Sequence, residues 1–343
     1  MNENNELLDK PKEISKAEMQ TTWENNFDAN NCPEAIVFEI TNRCPNHCAH
    51  CYANLSIGKN TTDISPTVFN NWLDVISEND NKPNQIWLCG GEPTENPNLE
   101  QYLKTTREHG FQPMIVTTGE NLADLDYCKR IVPEADEIDV TIRGFGPMHD
   151  LMRLPADDNI FKSSLLIDKQ SNNQVKYALD EALEKTSSYE HFSKTIDGLK
   201  NIAKVAFETN SGTKIGLNVD IQAAADLTQI IELMNLYNVP VESIILQVQT
   251  FSETNSHLAD IVPNIWRKPT ADIIEKYINQ ANYLIDSEKF IGKIEIIDQL
   301  PSSIIDELTA KGVNLTDYYN PVATPAISPD GKIRQNVVKE MEK

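Results

Sequence analysis

The chain alternates short apolar runs with amphipathic segments over most of its 343 residues. A helix is predicted to begin at Ser65 and Pro66, where serine can cap and proline can take the first helical position. Six apolar runs have the length of buried strands: 35–40, 85–88, 112–117, 137–142, 214–221 and 243–249. Apolar residues recur at helical spacing in five further segments: 98–109, 121–131, 188–207, 227–237 and 269–285. Strands that alternate with helices predict right-handed crossovers and a parallel sheet, so the fold class is α/β.

The two ends of the chain depart from this alternation. Residues 1–33 are predicted to form a polar N-terminal lead-in with a short helix over 15–24, and 34–287 hold the six strand–helix units. Residues 288–343 are predicted to form a short α+β C-terminal extension. Its elements are a strand over 292–297, a helix over 302–310 and a hairpin over 326–333, which has Asp-Gly at its turn. A polar stretch, 150–186, interrupts the units, and its length is typical of a functional loop.

Three cysteines, Cys44, Cys48 and Cys51, follow the first predicted strand within one short loop. A loop that leaves a strand can aim three thiolates at one iron–sulfur cluster. Because such a cluster normally takes four cysteine ligands, three leave one iron open to another ligand. The same residues are also compatible with a closed structural zinc site, with Cys32 or a histidine of the loop as the fourth ligand.

A second motif, Gly90-Gly91-Glu92-Pro93 followed by Thr94, lies at the end of the second predicted strand. Two glycines let a backbone come close to a ligand because no Cβ intervenes, and a carboxylate beside them suits an ammonium group. The glycine pair alone is equally compatible with a tight turn that binds nothing. The presence of both motifs, each after a strand, favours a bound cofactor over structural zinc.

With both motifs in this order, the chain resembles the radical S-adenosylmethionine (SAM) superfamily, except that His50 stands where that family usually has an aromatic residue. The resemblance covers roughly 34–287 and implies a partial (β/α)6 barrel with its active site at the carboxyl ends of the strands. It also implies that Cys44, Cys48 and Cys51 ligate a [4Fe–4S] cluster whose remaining iron binds SAM.

The resemblance further implies a set of SAM contacts. The glycine turn and its glutamate would hold the amino group, and the loop histidine would lie near the adenine. An arginine after the fourth strand would meet the carboxylate or ribose, and an asparagine in the fifth strand would reach the ribose hydroxyls. These predicted contacts are His50, Gly90, Gly91, Glu92, Thr94, Arg143 and Asn218. By contrast, His149, Asp150 and Arg153 are predicted to serve packing and helix capping.

The composition limits the kinds of substrate and cofactor that the chain is expected to bind. Lys and Arg number 30 against 52 Asp and Glu, and the resulting net charge of −22 argues against nucleic acid as a substrate. No apolar run approaches the ~20 residues of a membrane span, and the N-terminal segment lacks a signal peptide's apolar region, so a cytoplasmic protein is expected. All six cysteines lie at or before Cys128. The chain resembles the peptide-modifying SPASM-type subgroup but lacks the cysteines of its auxiliary clusters, so one cluster is expected.

The expected function is that of a radical SAM enzyme. An electron donor such as flavodoxin or ferredoxin would reduce the cluster, and SAM would be cleaved to a 5′-deoxyadenosyl radical that takes hydrogen from a peptide, first of all a ribosomally made precursor. Cys89, Cys128 or a tyrosine could return a hydrogen atom. Two alternatives stay open: an enzyme of the same superfamily acting on a sugar, nucleoside or amino acid, and a zinc-binding regulatory protein.

Overall fold

The computed structural model describes residues 14–27, 32–46, 48, 51, 62–153, 190–220, 226–247, 270–296, 300–318 and 325–334. Most of the predicted polar loop over 150–186 lies outside them. None of the described helices is long and apolar enough to cross a membrane.

One open sheet of nine strands organises the described residues, with the order β7-β6-β5-β4-β3-β2-β1-β8-β9. The strands are β1 (Ala35–Thr41), β2 (Gln85–Gly90), β3 (Gln112–Thr117), β4 (Glu137–Ile142), β5 (Lys214–Asp220), β6 (Val241–Gln247), β7 (Lys293–Ile296), β8 (Ala326–Ile327) and β9 (Ile333–Arg334). Every neighbouring pair is parallel except the hairpin of β8 and β9. The predicted α/β partial barrel is therefore confirmed.

Helices connect the strands and cover one side of the sheet. They are α1 (Lys16–Asn26), α2 (Pro66–Ser77), α3 (Leu99–Glu108), α4 (Leu125–Ile131), α5 (Pro147–Met152), α6 (His191–Thr209), α7 (Leu227–Leu236), α8 (Ala271–Asp286) and α9 (Ser302–Ala310). The predicted start of α2 is confirmed, because the Ser65 side chain accepts a hydrogen bond from Val68 N and Pro66 is the first helical residue.

Two predictions about elements need correction. The helix predicted over 121–131 is a 3-10 turn, Glu120–Ala123, followed by α4, because the Asp124 side chain accepts from Asp126 N and Tyr127 N and starts a new helix. The strand predicted over 292–297 is β7, which pairs in parallel with β6 and so adds a seventh strand to the six predicted units. The opposite edge of the sheet, β8 and β9, also comes from the predicted extension.

Both ends of the described chain pack on α2. Met19 and Trp23 of α1 are buried in the main apolar core. The indole Nε1 of Trp72 donates to the carbonyl oxygen of Gly331, between β8 and β9, at 3.0 Å. Lys16 Nζ of α1 also lies 3.2 Å from Asp74 Oδ2 of α2, so the N-terminal helix and the C-terminal hairpin both contact α2.

The two faces of the sheet differ in chemistry. Strand residues alternate between faces, and Ile138, Val140, Ile215 and Leu217 lie on the face that joins the helices in one apolar core. The opposite face, called the inner face below, is polar over β4, β5 and β6. Its polar residues and its glycine there are Glu137, Asp139, Thr141, Lys214, Gly216, Asn218, Asp220, Ser243 and Gln247, and Ile245 of β6 shares the face as an apolar residue.

Candidate active site at the carboxyl ends of the strands

The loops after β1 and β2 are joined by backbone hydrogen bonds. Gly91 N donates to Thr41 O and Glu92 N donates to Arg43 O, both at 2.7 Å. A Cβ at Gly90 would lie 2.3 Å from Thr41 O, and one at Gly91 would lie 2.1 Å from Arg43 O. Glycine is therefore required here so that the turn can touch the segment leading to the first motif cysteine.

The carboxylate of Glu92 lies inside this contact and is 1% exposed. Its Oε1 accepts from Thr94 Oγ1 at 2.6 Å and from Thr117 Oγ1 at 2.5 Å. Its Oε2 accepts from Thr118 N at 2.7 Å. The predicted SAM ligand Glu92 thus also ties the end of β2 to the end of β3. Sequence reasoning gave no role to Thr117, the last residue of β3, or to Thr118, which follows it, although two hydroxyl residues at the end of a buried strand are a usable signal.

The three motif cysteines lie in the loop that follows β1, and each is half buried. Cys51 N donates to Cys48 O at 3.0 Å. Burial raises the pKa of the Cys44 thiol to about 12, and it also raises the pKa of Cys48, against the effect of Arg143 and Arg153. Within the described residues, no three or more His, Cys, Asp or Glu side chains form a metal-binding group. His50 and most of this loop lie outside those residues, so the predicted cluster ligands and the predicted histidine contact stay predictions.

A polar network below the cysteine loop centres on Glu120. Asn46 Nδ2 donates to Glu120 Oε1 at 2.9 Å, and His191 Nδ1 lies 2.9 Å from Oε2. Arg153 Nη1 lies 3.5 Å from Oε1. Burial opposes ionisation of Glu120, but His191 and Arg153 hold its pKa below the ordinary value. The network joins the cysteine loop, the loop after β3 and the start of α6, and sequence reasoning missed its acid.

The stretch after β4 packs as predicted. Asp150 Oδ1 accepts from Phe192 N at 2.6 Å and so caps the first turn of α6. Arg153 Nε donates to His149 Nε2 at 2.7 Å. Burial, with Arg153 and Arg143 nearby, lowers the pKa of His149 well below its ordinary value, so the imidazole is neutral.

The predicted contact Arg143 directly follows β4, and the predicted contact Asn218 lies on the neighbouring strand β5. Arg143 Nη1 lies 3.2 Å from Asp220 Oδ2, and the side chain of Asp220 is 1% exposed. Asn218 is buried on the inner face, and its Oδ1 has no hydrogen-bond partner among the residues that the structure describes. Asp220, at the end of β5, was not singled out from sequence.

The two cysteines considered as hydrogen-atom donors, Cys128 and Cys89, lie in different environments. Cys128 is 0% exposed in the apolar core, where burial raises its pKa to about 12. Cys89 is half buried on β2, beside Glu39 of β1. Cys89 therefore stays a candidate, while Cys128 is a core residue.

Motif loops at the carboxyl ends of an open parallel sheet are typical of a partial α/β barrel. Residues 38–163 match the family model of the radical SAM superfamily. This is the family that the two motifs predicted.

Curated relatives match shorter parts of the chain. The 7,8-dihydro-6-hydroxymethylpterin dimethyltransferase of Methanocaldococcus jannaschii is 26% identical over 134 residues, which are 36% of this chain and 26% of that protein. The PqqA peptide cyclase of Streptomyces rochei is 28% identical over 91 residues, which are 26% of this chain and 24% of that protein. The chain therefore spans about a quarter of the length of these relatives.

Among solved structures, SuiB of Streptococcus suis has the same fold. Bound to its precursor peptide SuiA, it matches with a TM-score of 0.53 and 13% identity over 88% of this chain and 58% of SuiB. Bound to S-adenosylmethionine, it matches with a TM-score of 0.54 and 13% identity over 91% of this chain and 62% of SuiB.

Proposed function

We propose that the chain is a radical SAM enzyme that binds one [4Fe–4S] cluster through Cys44, Cys48 and Cys51. The observation that carries the proposal is the pair of hydrogen bonds from Gly91 N and Glu92 N to the backbone that leads into the cysteine loop. These bonds hold the proposed SAM-binding turn directly beside the proposed cluster ligands. The match of residues 38–163 to the family model supports the same assignment.

The described residues fit both groups. Half-buried Arg143 and buried Arg153 favour the ionised form of Cys48, which an iron ligand requires. Asn218 is buried on β5, and its amide nitrogen is a donor that suits the predicted contact with the ribose hydroxyls. When bound, the cluster and SAM supply a one-electron cleavage whose product radical takes a hydrogen atom from the substrate.

The remaining SAM contacts follow from the sequence prediction. Gly90 and Gly91 supply the turn, and Thr94 supports it by donating to Glu92. Arg143, which pairs with Asp220, lies on the side where the SAM carboxylate or ribose is predicted. His50 completes the set as the residue near the adenine. The core would extend over 34–287, with 288–343 completing both edges of its sheet.

We propose a peptide as the substrate class, and a small redox protein such as flavodoxin or ferredoxin as the electron donor. The structure of SuiB with a precursor peptide and the similarity to PqqA peptide cyclases support the peptide. The similarity to a pterin dimethyltransferase supports a small metabolite as the second candidate. A cytoplasmic, reducing compartment fits the free thiols of the motif. Nucleic acid is not proposed, because the net charge is −22.

The test is anaerobic reconstitution of the full chain with iron and sulfide, followed by reduction with dithionite in the presence of SAM. We expect a brown protein that forms 5′-deoxyadenosine and methionine. The triple variant Cys44→Ala, Cys48→Ala, Cys51→Ala should lose both the colour and the product. The matched control is Cys32→Ala, which removes a half-buried cysteine outside the motif and should retain both.

Two outcomes contradict the proposal. If the protein holds an intact cluster but forms no 5′-deoxyadenosine, the proposed radical SAM activity is contradicted. A colourless protein that contains stoichiometric zinc, and loses it in Cys32→Ala, would establish the structural zinc site instead.

A further inference from the structure

Polar side chains from β4 and β6 converge over Gly216 in the middle of β5. A Cβ at Gly216 would lie 1.9 Å from Asp139 Oδ1 and 2.6 Å from Ser243 Oγ. Glycine within a strand often marks a place where another group approaches closely. Here the missing side chain leaves room for a carboxyl group on the inner face.

Two acceptors on this face are buried and unpartnered. Asp139 is 2% exposed and Asn218 is 8% exposed. Neither Asp139 Oδ1 nor Asn218 Oδ1 has a hydrogen-bond partner among the described residues. Native proteins satisfy nearly all buried polar atoms, so two such acceptors on one face indicate a missing donor. Ser243 is not that donor, because its hydroxyl donates to Glu137 Oε1 at 2.8 Å.

The charge of this face indicates which kind of group could donate hydrogen bonds to Asp139 and Asn218. Burial, and then Glu137, raises the pKa of Asp139 from the ordinary 3.8 to about 8. A cation beside a buried carboxyl favours its ionised form and compensates its burial.

We infer that the inner face around Gly216 is a recognition site for an organic cation of the substrate, an ammonium or a guanidinium group, which Asp139 and Asn218 hold. Val116, Glu137 and Ser243 on the same face are half buried, so solvent reaches the margin of this site. Asn218 suits this role and the predicted SAM contact together, because its amide carries a donor nitrogen as well as an acceptor oxygen. That the cation belongs to the substrate rests on the proposed function.

The test uses the full chain without cluster or SAM and three probes: the N-acetyl methylamides of arginine, lysine and citrulline. Citrulline has the shape of arginine without its charge. Dissociation constants are measured by ligand-observed NMR. We expect the arginine or the lysine probe to bind at least about tenfold more tightly than the citrulline probe, as a charge-assisted hydrogen bond requires. Whichever cationic probe binds more tightly identifies the ammonium or the guanidinium.

Asp139→Asn should abolish this preference, because it removes the charge and keeps the shape. Asp126→Asn is the matched control, since Asp126 is exposed on α4 and its loss should leave the preference unchanged. Gly216→Ala offers a second variant that should also remove the preference, by placing a methyl group against Asp139 Oδ1. Circular dichroism checks that each variant is folded.

Equal affinity for all three probes, absence of binding, or an unchanged preference in folded Asp139→Asn would overturn the inference. Because no radical chemistry is measured, this result is separate from the test of the proposed function. If the chain prefers the cationic probes but does not cleave SAM, the cation site is supported and the proposed radical SAM activity is contradicted.

Discussion

Glu92 and Asp139 are both buried carboxyl groups on this sheet, and their surroundings are opposite. Glu92 is 1% exposed, and both of its oxygens accept hydrogen bonds from threonines of its own chain. Asp139 is 2% exposed, and its Oδ1 has no partner among the described residues. The carboxyl group of Glu92 is satisfied within the fold, whereas Asp139 Oδ1 lacks a donor among the described residues.

The difference separates a group that holds the structure from one that awaits a ligand. A buried carboxylate that accepts several hydrogen bonds fixes the loops that donate them. Glu92 keeps capacity on Oε2, which accepts one hydrogen bond in the described structure, so the predicted contact with the SAM amino group is compatible with its structural role. Asp139 differs from Glu92, because its buried Oδ1 accepts no hydrogen bond from the residues that the structure describes.

The largest expected effect comes from Glu92→Gln. The amide nitrogen of glutamine would face a donor, either Thr118 N or the threonine hydroxyls, and would leave a buried donor without a partner. We expect the free energy of unfolding to fall by about 2–3 kcal/mol. Urea denaturation of the protein without cofactors measures it.

The matched control is Glu108→Gln, at an exposed position at the end of α3, which should change the unfolding free energy by less than about 0.5 kcal/mol. Equal stabilities of Glu92→Gln and the wild type would show that the threonine contacts do not hold the loops, and the contrast with Asp139 would disappear.

The role of Glu92 was only partly predictable from sequence. Its motif and its place after a strand indicated a ligand site, and the alternation of strands and helices predicted the sheet that positions it. The partners Thr117 and Thr118 come from the next strand, so only the parallel pairing of β2 with β3 brings them within reach. The same holds for Glu120 and Asp220, whose partners Asn46 and Arg143 are distant along the chain.

Asp139 was not predictable as a site. In the sequence it is the middle residue of a run that reads as a buried strand, and no local pattern marks it. Its environment depends on Gly216 and Ser243, which belong to two other strands. The register of three strands is needed to see that they meet.

A medium effect, with a distinct pH dependence, is expected for Asp139→Asn. Because the pKa of Asp139 is raised from 3.8 to about 8 in the folded state, the folded protein holds a proton that the unfolded chain releases. The stability of the wild type should therefore fall as pH rises through this window, and asparagine should not show this loss. Between about pH 5 and about pH 8, the variant should gain more than about 1 kcal/mol relative to the wild type.

Urea denaturation at both pH values measures this gain, with Asp126→Asn as the exposed control that should run parallel to the wild type. If the curves of Asp139→Asn and the wild type also ran parallel, Asp139 would be ionised in the folded protein. The contrast between Glu92 and Asp139 would then be wrong for Asp139.

The smallest effect is expected for Ser243→Ala. The hydroxyl donates to Glu137 Oε1, but Ser243 is half buried, so water can replace it and the cost should be less than about 1 kcal/mol. The pH dependence assigned to Asp139 should persist, because burial is its largest cause and the alanine leaves that burial in place. The same urea denaturation at both pH values measures it. Loss of the pH dependence in Ser243→Ala would show that the Ser243–Glu137 hydrogen bond, rather than burial, sets the protonation of Asp139.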